Sequence, residues 1–288
     1  MWQEQMELEG PYNFDRVIER HAIDPLNQVD LQKRLIKVPI LIDKNRYVVE
    51  VVGLGTIHNP VFKLTGKNTE QKEAQIKSIS EIFQWNIPLK NINQHFLKTD
   101  LSGLFQEHFG TPLILDFDLF SCITKCIIHQ QLNLSFAHTL TERFVKTYGT
   151  EIEGVWFYPK PETVAAITVE QLRELQFSGR KAEYVIGLGK LVAEGALDLE
   201  ALSRKSEEGI FNQLIKIRGI GAWTIQNFLL FGLGRPNLFP ATDIGIQNAL
   251  KKLYHLERKP TLEEIERYKH GWEPYLSYAS LYLWRSIE

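Results

Sequence analysis

Residues 214–250 read LIKIRGIGAWTIQNFLLFGLGRPNLFPATDIGIQNAL, and the fold turns on how this stretch is parsed. Two helical patterns flank a Gly-Ile-Gly step. Residues 206–217 place Ile210, Leu214 and Ile217 on one helical face. Gly219 stops that pattern, and Ile225, Phe228 and Leu229 give residues 223–231 an apolar face of their own. The chain is therefore predicted to reverse within a few residues, around glycines that reach backbone angles closed to other residues. The first N–H groups of the second helix then lack internal partners, and with the helix dipole they form a site for an anion. Amides hold a phosphate in this way without reading base sequence. A plain tight turn, with glycine chosen for packing alone, has the same spacing, and the pattern by itself leaves both readings open.

The stretch closes on an acid. Asp243 follows Thr242 and precedes Ile244, Ile246, Ala249, Leu250 and Leu253, so on its own it reads as a helix N-cap. The loop PNLFPAT before it also suits delivery of a carboxylate to the edge of a cleft.

These residues resemble the helix-hairpin-helix superfamily of DNA glycosylases, and within it the AlkA type of 3-methyladenine DNA glycosylase. The likeness runs through Arg218-Gly219-Ile220-Gly221-Ala222-Trp223-Thr224 and the Phe-Pro-Ala-Thr-Asp run ending at Asp243. It includes Ile127-Ile128-His129-Gln130-Gln131-Leu132 and the aromatic segment Ser277-Tyr278-Ala279-Ser280-Leu281-Tyr282-Leu283-Trp284. PYNFDRVIERHAIDPLN near the N-terminus adds weaker likeness. The resemblance implies that Asp243 is the catalytic aspartate and that Trp223 and Trp284 wall the base pocket. It implies DNA contacts by Gly219, Gly221, Ala222, Thr224 and Gln131, with Leu132 as the wedge that fills the gap left by the extruded nucleotide. It also implies that the backbone carbonyls of Ile215, Ile217 and Ile220 can hold a structural cation, sodium or potassium, with no cofactor required. Bifunctional relatives carry a nucleophilic lysine just after the hairpin, where this chain has Trp223. No amine stands there to form a Schiff base, which favours base release by water. Two departures are visible. Asn227 stands where some relatives have an aromatic residue, and two cysteines are too few for the four-cysteine iron–sulfur loop of others.

Composition sets outer bounds. With 288 residues the chain can form two domains and a substantial core. Its 44% hydrophobic and 24% charged residues are those of a globular protein. A formal net charge of −2 excludes an overall basic coat, so contact with double-stranded damaged DNA would need a local face. Arg180, Lys181, Lys216 and Arg218 are candidates, each with a solvated surface as its plainer role. Cys122 and Cys126 suit a reducing compartment without disulfides. With His129 they share a helical face, but a structural zinc site ordinarily takes four ligands. No apolar run reaches the ~20 residues of a membrane span, and no signal peptide pattern opens the chain. A cytoplasmic monomer is expected.

The expected fold class is α+β. An N-terminal antiparallel β-sheet domain with helices (residues 1–92) precedes an all-α helix-hairpin-helix glycosylase region (residues 93–288), its hairpin at 206–231. Strands are predicted at 31–42 and 46–54 around the turn Asp43-Lys44-Asn45, and at 61–64. A helix is predicted at 70–85, ahead of a break at Pro88. Further helices are predicted at 96–109, 118–130, 135–148, 179–193, 243–253, 262–272 and 276–284. Thr168 and Gln171 have capping-box spacing. The pocket is expected in a cleft between helical groups, facing the hairpin. Three readings follow: a glycosylase of alkylated purines (3-methyladenine, 7-methylguanine), a glycosylase of deaminated or oxidised bases, and a non-catalytic DNA-binding module.

Overall fold

The computed structural model describes residues 1–43 and 45–287, so Lys44, the middle of the expected turn, lies outside the described residues. Five antiparallel strands form one sheet: β1 (Trp2–Glu7), β2 (Gln28–Asp30), β3 (Leu35–Ile42), β4 (Asn45–Gly53) and β5 (Val61–Gly66). Their spatial order is β1-β5-β4-β3-β2. Side chains alternate across a strand, so Ile36, Val38 and Ile40 of β3 share a face with Val49 and Val51 of β4 and Phe62 and Leu64 of β5. All seven are buried, which fixes the register, because a one-residue slip would turn them all outward. Strand β1 was not foreseen, since WQEQME is mostly polar. It pairs along β5, with Trp2 opposite Gly66. A Cβ on Gly66 would come within 2.6 Å of the Trp2 indole, so the glycine makes room for that ring.

The helix expected at 96–109 is two helices, Leu89–Phe96 and Ser102–Glu107. Thr99 separates them by bonding locally, its Oγ1 donating to the Phe96 carbonyl and accepting the Leu101 N–H. The adjacent Asp100 accepts from Trp272 Nε1 at 2.7 Å and from the Tyr254 hydroxyl. The helical region also contains a short hairpin, β6 (Thr150–Ile152) and β7 (Val155–Phe157), turned by Glu153 and Gly154 at positive φ. Val155 and Phe157 pack on Val48 of the sheet.

Two cores result. The first joins the inner face of the sheet to the helices that follow it and to the C-terminal helices Ile244–Leu253, Leu262–Lys269 and Leu276–Arg285. A column of rings ties its parts, with Phe96 on Phe105 (4.0 Å between centroids) and Phe105 on Tyr282 (3.7 Å). Such pairs add about 0.5–1.5 kcal/mol each beyond burial. The second core takes Leu26 and helices between residues 120 and 229. Position 92/93 falls within helix Leu89–Phe96, and Ile92 and Phe96 both lie in the first core. Among the described residues no helix is long and apolar enough to cross a membrane.

Candidate active site

The hairpin forms as its glycines require. Helix Glu207–Leu214 starts at Ser206, whose hydroxyl accepts the Gly209 N–H at 3.2 Å. The second helix, Ala222–Asn227, continues into a π-helical turn over Phe228–Gly232, closed by the Leu233 N–H on the Phe228 carbonyl at 3.1 Å. An α-helical hydrophobic pattern carries no sign of that widened turn. Gly219 has φ +92°, and a Cβ there would lie 2.2 Å from the Tyr184 ring, so glycine is required twice over. Gly221 differs. Its φ is −107°, open to any residue, and a Cβ would meet nothing within 4 Å. Nothing inside the protein demands glycine at this exposed position.

Residues 221–223 are the exposed edge of the turn, whereas Thr224 is buried. Gln130 Nε2 donates to the Gly219 carbonyl and to Thr224 Oγ1, each at 2.8 Å, and braces the turn from within. The Thr224 side chain is thus spent inside the fold rather than offered to a ligand. Among the described residues no backbone amide is directed at the carbonyls of Ile215 or Ile220, while Ile217 accepts from Ile220 N at 3.0 Å. Oxygen donors of this kind suit hard cations.

Beside the hairpin, helix Leu119–His129 ends at Gln130, and Gln131 follows at φ +55° with its side chain exposed. Leu132 is half-buried against the second core. Gln131 is therefore the outer member of the pair. Lys181 was a candidate for a basic face, but its Nζ donates to the carbonyls of Ile127 (3.2 Å), Ile128 (2.5 Å) and Gln130 (2.8 Å). It places a cation at the negative end of a helix. Burial pulls its pKa down to about 8, which leaves it mostly charged at neutral pH. Arg218 pairs with Glu183 at 3.0 Å, and Arg180 and Lys216 are exposed.

Asp243 is both a cap and more than a cap. Its Oδ1 accepts the Ile246 N–H at 2.9 Å, starting helix Ile244–Leu253, and also accepts Trp284 Nε1–H at 2.9 Å. Gly245 makes the second bond possible. A Cβ there would lie 3.0 Å from Asp243 Oδ1 and 3.1 Å from Trp284 Cδ1. Gly245 carries a signal of its own in the sequence, because glycine inside a helical pattern is unfavourable by about 1 kcal/mol against alanine. The loop leading to Asp243 is clamped by Ser277, whose hydroxyl accepts the Leu238 N–H at 3.0 Å and donates to the Arg235 carbonyl at 2.5 Å.

A cavity of about 350 Å³ opens between the two cores. Trp223, Asn227 and Phe231 line it from successive turns, facing Leu41 and Phe117 from the sheet side. Trp284 stands behind this wall, its ring 6.1 Å from that of Phe231, so it connects the cavity to Asp243 rather than lining it. Asn227 is tied by its amide to the Trp223 carbonyl at 2.8 Å. The Arg20 guanidinium lies over Phe231, 4.4 Å from the ring centre. The polar side of the cavity holds an ion pair between Lys125 and Asp116, which the sequence reading did not single out. Burial works against the Lys125 ammonium, but Asp116 outweighs it and holds the lysine above its ordinary range. A lysine so held is a poor nucleophile.

Residues 124–274 match the family described as HhH-GPD superfamily base excision DNA repair protein. Over 289 residues the chain is 53% identical to YfjP of Bacillus subtilis (strain 168), named provisionally as a DNA-3-methyladenine glycosylase, covering 100% of each. It is 32% identical over 265 residues to a DNA-3-methyladenine glycosylase of the same organism, covering 85% of this chain and 87% of that one. The structure of a 3-methyladenine DNA-glycosylase from Archaeoglobus fulgidus shares the fold, with a TM-score of 0.85 at 24% identity, over 99% of this chain and 98% of that one.

Proposed function

We infer the function from a fixed premise: this chain belongs to the HhH-GPD superfamily of base excision DNA repair proteins. We propose that it is a monofunctional DNA glycosylase that flips alkylated purines, 3-methyladenine and 7-methylguanine, out of duplex DNA and hydrolyses their N-glycosidic bond. The observation that carries this reading is the Asp243 carboxylate. One oxygen is fixed by two donors at 2.9 Å, and one of them, Trp284, packs with its ring 6.1 Å from Phe231 in the wall of an aromatic-lined cavity of about 350 Å³.

The chemistry asks little beyond that. Breaking the C1′–N bond sends its electron pair to the base and builds positive charge on the sugar. A carboxylate held in place stabilises that charge and orients the water whose oxygen bonds C1′, while the water's proton passes to the carboxylate or solvent. An N3- or N7-alkylated purine is already cationic and needs no acid to leave. It also favours the Trp223 face, by roughly 0.5–2 kcal/mol. The amides of residues 221–223 hold the phosphate beside the lesion. Gln131, backed by Leu132, fills the space vacated by the flipped nucleotide, a step that costs a few kcal/mol and least at weakened pairs. The carbonyls of Ile215, Ile217 and Ile220 would hold a sodium or potassium ion that stiffens the turn. The protein acts as a monomer on double-stranded damaged DNA. Water is the nucleophile, because Trp223 stands where an amine would be needed and Lys125 is kept protonated.

The test is incubation with alkylated duplex DNA and chromatography of the released bases. Release of 3-methyladenine and 7-methylguanine above an enzyme-free control is expected, without strand nicking unless heat or base is added. Absence of both bases, or release only of hypoxanthine or 8-oxoguanine from matched duplexes, overturns the substrate reading. Spontaneous nicking overturns the monofunctional one.

A further inference from the structure

Helix Leu119–His129 ends against an ammonium group. The last four carbonyls of a helix have no partner inside it. Here the Gln130 N–H takes that of Cys126 at 3.2 Å, and the Leu132 N–H takes that of His129 at 3.3 Å. Ile127 and Ile128 remain, and Lys181 Nζ donates to both, at 3.2 and 2.5 Å. It also donates to the Gln130 carbonyl, one residue past the helix, at 2.8 Å. An ammonium has three protons and no lone pair, so it suits three carbonyls, whereas a neutral amine would turn a lone pair on one of them. Lys181 sits in the first turn of helix Gly179–Ala193, where a cation opposes that helix's own dipole. The charge therefore serves the neighbouring helix end rather than its own helix.

That end leads directly into a strained residue. Gln131 has φ +55°, a left-handed conformation that is costly for a residue with a side chain and persists only where the surroundings impose it. The Gln131 side chain is exposed, so its own packing does not impose it. Its neighbours do. Gln130 is pinned twice, by Lys181 at its carbonyl and by the hairpin at its amide, which reaches the Gly219 carbonyl and Thr224 Oγ1 at 2.8 Å each. Leu132 is tied back to His129 and half-buried against the second core. Gln131 is thus an exposed side chain on strained backbone anchored from both sides, and holding it so in advance removes part of the cost of ordering it on binding.

We propose that Lys181 is a positioning residue for the step in which the duplex is opened: by gripping the carbonyls of Ile127, Ile128 and Gln130 it keeps Gln131 in its left-handed conformation, outside the fold, before DNA arrives. This inference rests on the glycosylase reading, in which Gln131 fills the space of the flipped nucleotide, and it adds what holds that residue ready.

Fluorescence anisotropy tests it with two labelled duplexes, one undamaged and one with a central tetrahydrofuran abasic analogue, where the gap is already open. The preference for the abasic duplex is expected to fall about fivefold or more in Gln131→Gly, and by a similar factor in Lys181→Met, which keeps the stem without the ammonium. The double variant is expected to match Gln131→Gly within about twofold, because both changes remove the same interaction. A lysine that only stabilised the fold would not show this coupling. Equal binding of the two duplexes by the wild type, losses that multiply in the double variant, or an intact preference in a Lys181→Met protein with native melting behaviour overturns the proposal. Gln131→Gly decides alone if Lys181→Met does not fold. Glycine takes positive φ freely, so the melting temperature of that variant is expected to rise while its preference falls. A lower melting temperature overturns the proposal, and an intact preference in Gln131→Gly overturns the role of Gln131 in DNA with it. The duplexes carry no damaged base to release, so each of these failures leaves the glycosylase reading to the base-release assay.

Discussion

The two cores of this molecule are built differently. The helical core is continuous in sequence, from Phe120 to Leu229 apart from Leu26, and it carries the hairpin. The sheet-based core is assembled from both ends of the chain, Trp2 to Ile114 and then Ile246 to Leu283, and it carries Asp243 and Trp284. The cavity is the seam between them. In the proposed mechanism the group that holds DNA and the group that works on the sugar are thus mounted on separate bodies. Damage to one should leave the other measurable.

The sharpest break is Asp243→Asn. Asparagine caps a helix about as well as aspartate, and its oxygen can still accept from Trp284, so the melting free energy should stay within about 1 kcal/mol of wild type. Loss of the charge should lower single-turnover base release roughly a thousandfold. A variant that unfolds instead would reduce Asp243 to its cap. Next is Gly245→Ala, which crowds Asp243 Oδ1 at 3.0 Å and Trp284 at 3.1 Å. Displacing the acid by a few tenths of an ångström should lower base release by about ten- to a hundredfold. DNA affinity, read by fluorescence anisotropy, should hold, and a parallel loss of binding would show that the two bodies are not independent.

The smallest and most discriminating pair is Gly219→Ala and Gly221→Ala. The first meets positive φ and the Tyr184 ring, and it should destabilise the protein by roughly 1–3 kcal/mol. The second meets open space and should leave the melting free energy within about 0.5 kcal/mol. It should nonetheless weaken DNA binding several-fold, because its methyl group occupies the ground a phosphate needs. If Gly221→Ala binds DNA like wild type, the turn is a packing device and no more.

These contrasts show what could be read in the residues beforehand. The hairpin, the capping box of Thr168 and Gln171, and the antiparallel strands β3 and β4 follow local periodicity and local hydrogen bonding, and they form where the pattern puts them. Strand β1 depends on a distant partner, β5, that no short window contains, and Asp100, next to the helix break at Thr99, is held by Trp272 from the far end of the chain. The site divides in the same way. Gly219, at the turn, and Asp243, at the helix cap, stand out by position alone. Gly245 and the Gln130 brace matter only because residues far apart in sequence meet, as Gln130 does with Thr224 at 2.8 Å. Trp284 was read as a cavity wall from its aromatic segment, yet the structure sets it one ring back, as the hand that holds the acid.

The π-helical turn at Phe228–Gly232 has a consequence for phase. In an α-helix, residues four apart drift about 40° around the axis, so Phe231 would stand about 80° from Trp223 and off the cavity side. The wider turn winds that drift back and returns the ring to the cavity side. The extra residue therefore acts as a phase corrector, and its removal would rotate Phe231 off the wall and deprive Trp284 of its neighbour without changing a single side chain in the pocket.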